Sequence, residues 1–126
     1  MNQAAKTLLT IASFAISLTA FAHGDAGEPK HGGITVKAKD MEYELVPKAD
    51  SIALYVEDHG KKIDSKGAQA KVTLLSGGKK TEVNLIPAGD NKLEAKGAFQ
   101  VGAGTKAVTT VTLAGKSAAT VRFVVK

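Results

Sequence analysis

A chain of 126 residues with no cysteine and a formal charge of +5 has room for one small domain, and it excludes both a disulfide framework and a thiolate metal site. The basic excess is dispersed through every segment, and Arg122 is the only arginine. That dispersal excludes the clustered basic face of a nucleic-acid-binding domain.

The first predicted element is a targeting segment. Lys6 supplies a positive start, Thr7 to Thr19 is an apolar and hydroxyl run, and Ala20-Phe21-Ala22 places small residues where a signal peptidase reads. Residues 1–22 are therefore expected to be a cleavable secretory signal, leaving a mature chain that begins at His23. The apolar run falls short of the ~20 residues needed to cross ~30 Å of hydrocarbon, so no membrane span is expected after cleavage. One lysine and no acid lie in that segment, which leaves a charge of +4 on the mature part.

Residues 23–33, HGDAGEPKHGG, lack apolar periodicity and are dense in glycine, which predicts an extended or flexible leader. From Ile34 the period becomes two. Ile34, Val36 and Ala38 alternate with Thr35, Lys37 and Lys39; Met41, Tyr43 and Leu45 alternate with Glu42 and Glu44. Further runs are Ile52-Leu54-Val56, Val72-Leu74, Val83-Leu85, Leu93-Ala95, Val111-Leu113 between threonines, and Val121-Phe123-Val125 around Arg122. Successive strand residues point to opposite faces, so each run offers one apolar face to a core. Turn residues separate the runs: Asp58-His59-Gly60-Lys61, Ser76-Gly77-Gly78-Lys79, Pro87 to Asn91 and Ala114-Gly115-Lys116. Residues 34–126 are thus expected to be one all-β domain, an immunoglobulin-like antiparallel β-sandwich of seven to eight short strands, with a small β-barrel as the alternative.

No catalytic constellation is visible. The mature chain has four serines, none in a nucleophile-elbow pattern, and no phosphate-binding glycine loop; an enzyme is not expected. The three histidines are the chemically suggestive residues. His23, His31 and His59 all fall in polar, glycine-flanked segments rather than on an apolar strand face. After cleavage His23 would carry both a free α-amine and an imidazole, a chelating pair suited to copper or zinc. His31 would add a nitrogen from the same leader, and His59 follows Asp58, whose carboxylate offers a further oxygen. Met41 shares the face of Tyr43 and Leu45, which assigns it to the core rather than to a copper site.

The segments His31-Gly32-Gly33, Met41 to Val46 and Leu54 to Lys61, continued by Gly67 to Leu74 and Leu85 to Ala95, resemble small periplasmic proteins that accompany heavy-metal efflux systems. They are also similar to the β-rich N-terminal extension of periplasmic adaptor (membrane fusion) subunits of those pumps. The resemblance implies a periplasmic, non-enzymatic accessory protein that binds or passes a metal ion such as copper or zinc beside an efflux-pump or adaptor subunit. The alternative expectation is a periplasmic structural or adaptor sandwich that docks on a partner protein without metal.

Overall fold

The computed structural model describes residues 27–126. They form nine strands and no helix: β1 (Ile34–Ala38), β2 (Met41–Pro47), β3 (Ser51–Asp58), β4 (Lys61–Lys62), β5 (Gln69–Ser76), β6 (Lys79–Pro87), β7 (Lys92–Lys96), β8 (Lys106–Thr112) and β9 (Ala119–Val124). Among the described residues no helix is long and apolar enough to cross a membrane. The expected secretory signal, residues 1–22, and His23 lie outside the described residues.

All pairings are antiparallel, in the order β1-β2-β3-β7-β6-β5-β8-β9, with β4 folded back on β3. The all-β expectation holds, and the arrangement is that of the small-barrel alternative: one nearly closed, barrel-like sheet instead of two separate ones. Strand β6 makes the sheet continuous. Its run from Lys79 to Leu85 pairs with β5, whereas Ile86 and Pro87 pair with Glu94 and Leu93 of β7. Pro87 has no N–H to give to a ladder, so it suits the last position of its strand. The ninth strand, absent from the expected count, is the two-residue β4, too short to show any periodicity of its own.

The core follows the period-two reading. Tyr43 and Leu45 of β2, Ile52, Leu54 and Val56 of β3, Val72 and Leu74 of β5, Val83 and Leu85 of β6, Leu93 of β7, Val111 of β8 and Val121 and Phe123 of β9 are all buried together. Met41 packs against this cluster, as its alternation requires. Ile34, Val36 and Ala38 of β1 also point inward but are only partly buried. The reason is position: β1 and β9 end the strand order, and they approach each other without forming a ladder. Where β3 runs past the start of β7, Asn91 is buried and its side-chain amide donates to the Val56 carbonyl at 3.0 Å. The same carbonyl also accepts from Ile63 N at 3.2 Å, and Val56 N donates to the Asn91 carbonyl at 3.1 Å, so the bond gives the buried Asn91 amide a partner where an unpaired donor would be costly.

Candidate functional site

The outer face of β2 and β3 presents Glu42, Glu44, Tyr55 and Glu57, and the leader crosses it, bending over residues 30–33. Gly32 has a positive φ of 76°, a conformation open to glycine at no steric cost. The turn it makes gathers three backbone N–H groups, those of Lys30, His31 and Gly33, on one carboxylate. His31 N and Gly33 N donate to Glu44 Oε2 at 2.8 and 2.9 Å, and Lys30 N donates to Oε1 at 3.1 Å. The His31 ring adds a fourth bond, Nδ1 to Glu44 Oε1 at 2.9 Å. Around this clamp Lys30 Nζ pairs with Glu57 at 2.8 Å, Gly27 N donates to Glu42 at 2.7 Å, and the His31 ring stacks on Tyr55 with centroids 3.6 Å apart. Gly33 lies so close to β2 that a Cβ there would run into the Leu45 carbonyl.

Glu44 is buried although it sits on the polar side of its strand. Burial pushes its carboxyl up, but the hydrogen bonds from the His31 ring and from the Gly33, His31 and Lys30 amides outweigh that and hold it below the usual carboxylate range. Lys30 is shifted the other way: its bond to Glu57 holds the ammonium above its ordinary value.

His59 occupies a different place. Asp58 pairs with Lys61 across a two-residue turn in which both His59 (φ 52°) and Gly60 (φ 82°) are left-handed, the combination a tight hairpin of this type demands. His59 Nδ1 bonds Asp58 Oδ1 at 2.6 Å, and Nε2 lies 3.7 Å from Asp40 Oδ1. Asp40 belongs to the β1–β2 turn and arrives there because Met41 is paired with Asp58 across β2 and β3.

The predicted site residues are therefore distributed over two positions. Asp58 and His59 are together, while His31 stacks on Tyr55, three residues earlier along β3 and so ~10 Å away. Among the described residues no group of three or more His, Asp or Glu side chains is arranged to hold a metal ion. The two histidines nevertheless share one feature. Each presents Nδ1 to a carboxylate, which can only accept, so Nδ1 carries the proton and the Nε2 lone pair of the neutral ring is left for another partner. Two residues of this arrangement escape sequence reasoning. Glu44 reads as one more solvent-facing glutamate, although the apolar Val46, Ala53 and Tyr55 on the same outer face are a sign that something covers it. Asp40 carries no signal without the register of β2 on β3.

No protein-family model matches this chain, and neither a curated protein nor a solved structure matches it.

Proposed function

We propose that this chain is an exported, non-enzymatic accessory protein of heavy-metal handling in the periplasm, which binds a copper or zinc ion weakly and passes it on. The observation that carries the reading is the pair of carboxylate-backed imidazoles. A carboxylate on Nδ1 fixes the ring, selects the tautomer and raises the basicity of Nε2, the arrangement common behind metal-binding histidines. Imidazole and carboxylate donors suit zinc and Cu(II), and no thiolate competes for softer ions. At the turn, His59 Nε2 and Asp40 Oδ1 lie 3.7 Å apart, near the separation of two donors that bind one ion at ~2.0–2.2 Å each. Such an open pair suits a cargo ion held briefly. His23, with the amine that cleavage would free, completes the donors in this reading, and the resemblance to efflux-associated periplasmic proteins supplies the setting.

The test is a titration of zinc and of Cu(II) against a competing chelator, using protein that begins at His23. The comparison set is His23→Ala, His31→Ala, His59→Ala and Asp40→Ala. Affinity is expected to fall in His59→Ala and Asp40→Ala alike, and to weaken on acidification, because a protonated imidazole cannot coordinate a metal. Binding no tighter than that of free histidine, or equal binding by all variants, overturns the reading and leaves a domain that docks on a protein partner without metal.

A further inference from the structure

Lysines that stand apart in the sequence are gathered by the strand order at one end of the barrel. The β2–β3 turn, the β5–β6 turn, the long β7–β8 loop and the end of β9 all emerge there, because every pairing is antiparallel. Backbone bonds stitch these segments together. Gly97 N and Phe99 N donate to the Asp50 and Ala49 carbonyls at 3.1 and 2.9 Å, Val125 N donates to the Thr105 carbonyl at 2.9 Å, and Gly104 N donates to the Val125 carbonyl at 2.8 Å. The β5–β6 turn joins them through the register, which sets Lys80, Leu75, Lys106 and Val124 directly opposite one another across β6, β5, β8 and β9. Lys48, Lys79, Lys80, Lys96, Lys106 and Lys126 are exposed on these turns and strand ends, and Asp50 is the one acid among them. Among the described residues none of these lysines is in an ion pair. The opposite end, where Asp40 and His59 lie, mixes both signs and neutralises part of its charge internally, Lys62 pairing with Asp90 at 3.0 Å.

Leu75 and Val124 decide what such an end meets. They are 39% and 52% exposed, and each stands beside Lys106 in the ladder, so apolar and ammonium groups alternate at the strand spacing of about 4.8 Å. A nucleic acid offers phosphates but nothing to cover an exposed leucine, and its recognition draws on arginine, which this end lacks. An anionic bilayer offers both: phosphate oxygens for the ammonium groups and, beneath them, an interfacial layer that takes leucine and valine. We propose that this end of the barrel docks the protein on a membrane surface of anionic phospholipids, with its lysines on headgroup phosphates and Leu75 and Val124 in the interfacial layer. Docked in this way, the domain holds the β1–β2 and β3–β4 turns, with Asp40 and His59, away from the surface and open to solution. The inference does not depend on metal binding.

The probes are vesicles of phosphatidylcholine alone and of equal parts phosphatidylcholine and phosphatidylglycerol. Protein beginning at His23 is used, because the apolar run from Thr7 to Thr19 would bind lipid by itself, and the bound fraction is read by co-sedimentation. Binding is expected to the anionic vesicles only. It should fall steeply as ionic strength rises from about 0.01 to 0.15 M, which shortens the screening length from about 30 to 8 Å. Lys79→Glu with Lys106→Glu should weaken it about ten-fold or more, and Leu75→Ser with Val124→Ser about three- to ten-fold with every lysine in place. Lys66→Glu with Lys116→Glu, the same charge change at the opposite end, should weaken it by no more than about two-fold. All six side chains are exposed, and the circular dichroism spectrum should be unchanged throughout. Equal binding to both kinds of vesicle, or equal loss in the two lysine pairs, overturns the proposal. Absence of binding to the anionic vesicles also overturns it, and leaves this end to an acidic protein surface.

Discussion

Glu44 accepts from three backbone N–H groups and from the His31 ring, so removing its carboxylate leaves four donors to find other partners. Glu44→Ala is expected to cost about 1–3 kcal/mol and to speed hydrogen exchange at the Lys30, His31 and Gly33 amides. The same bond set gives a pH dependence of definite sign. Because the folded carboxyl is held below its ordinary value of 4.5, its contribution is complete above that value and is lost as pH falls through the depressed one. Leader amides should therefore stay protected from neutral pH to about 5 and lose protection in more acidic solution; protection unchanged at pH 2 would show that Glu44 is not what holds them. His59 allows a different separation. As a non-glycine residue in the left-handed region (φ 52°) it is conformationally costly, and its ring is largely exposed. His59→Gly is expected to raise stability by about 0.5–1 kcal/mol in a denaturant melt while reducing metal affinity. A loss of stability would mean that the ring serves the turn rather than an ion.

At the level of strands, whatever depends on neighbours in sequence was readable and whatever depends on distant pairing was not. The inward faces of β2, β3, β5, β6, β8 and β9 follow from alternation alone, since strand geometry places residues two apart on one face. That Ser51 to Tyr55 pair with Lys92 to Lys96, or that β5 lies between β6 and β8, is fixed by loops and core shape, which leave no local trace. The same gap hides the candidate site: Glu44 is buried only because a leader folds over it, and Asp40 reaches His59 only through the β2–β3 register. Thr109 is a case where alternation reads further than composition. It shares parity with Val111 and Leu113, sits between Val72 and Val121 in the ladder, and is fully buried with no hydrogen-bond partner for its hydroxyl among the described residues. A buried hydroxyl without a partner forfeits its hydration for nothing. Thr109→Val, which keeps the shape and the branching, is expected to stabilise the domain by about 1 kcal/mol, seen as a higher denaturant midpoint at unchanged slope. A destabilisation of that size would mean that the hydroxyl is satisfied in solution.

For the whole molecule, the incomplete ring of strands puts unusual weight on the last one. Among the described residues strand β9 has a ladder only to β8, so its hold on the barrel comes from that pairing and from the side chains it sends inward. Phe123 is the largest fully buried side chain, at 2% exposure, whereas its neighbour Val124 is 52% exposed on the other face. Truncating Phe123 to alanine removes most of a ring's contacts from the middle of the core and leaves a cavity that flanking strands can refill only in part. The expected cost is ~3–5 kcal/mol. A domain of this size is stable by only about 5–15 kcal/mol in total, so Phe123→Ala should melt far earlier and leave β9 and β1 amides exchanging before those of β3 and β5. Val124→Ala, one residue on, should change stability by less than ~0.5 kcal/mol. The pair tests register as well as burial, because a slip of one residue exchanges the two faces of the strand. Equal effects at the two positions, or a larger one at Val124, would place β9 one residue out of the alignment in which Phe123 closes the core.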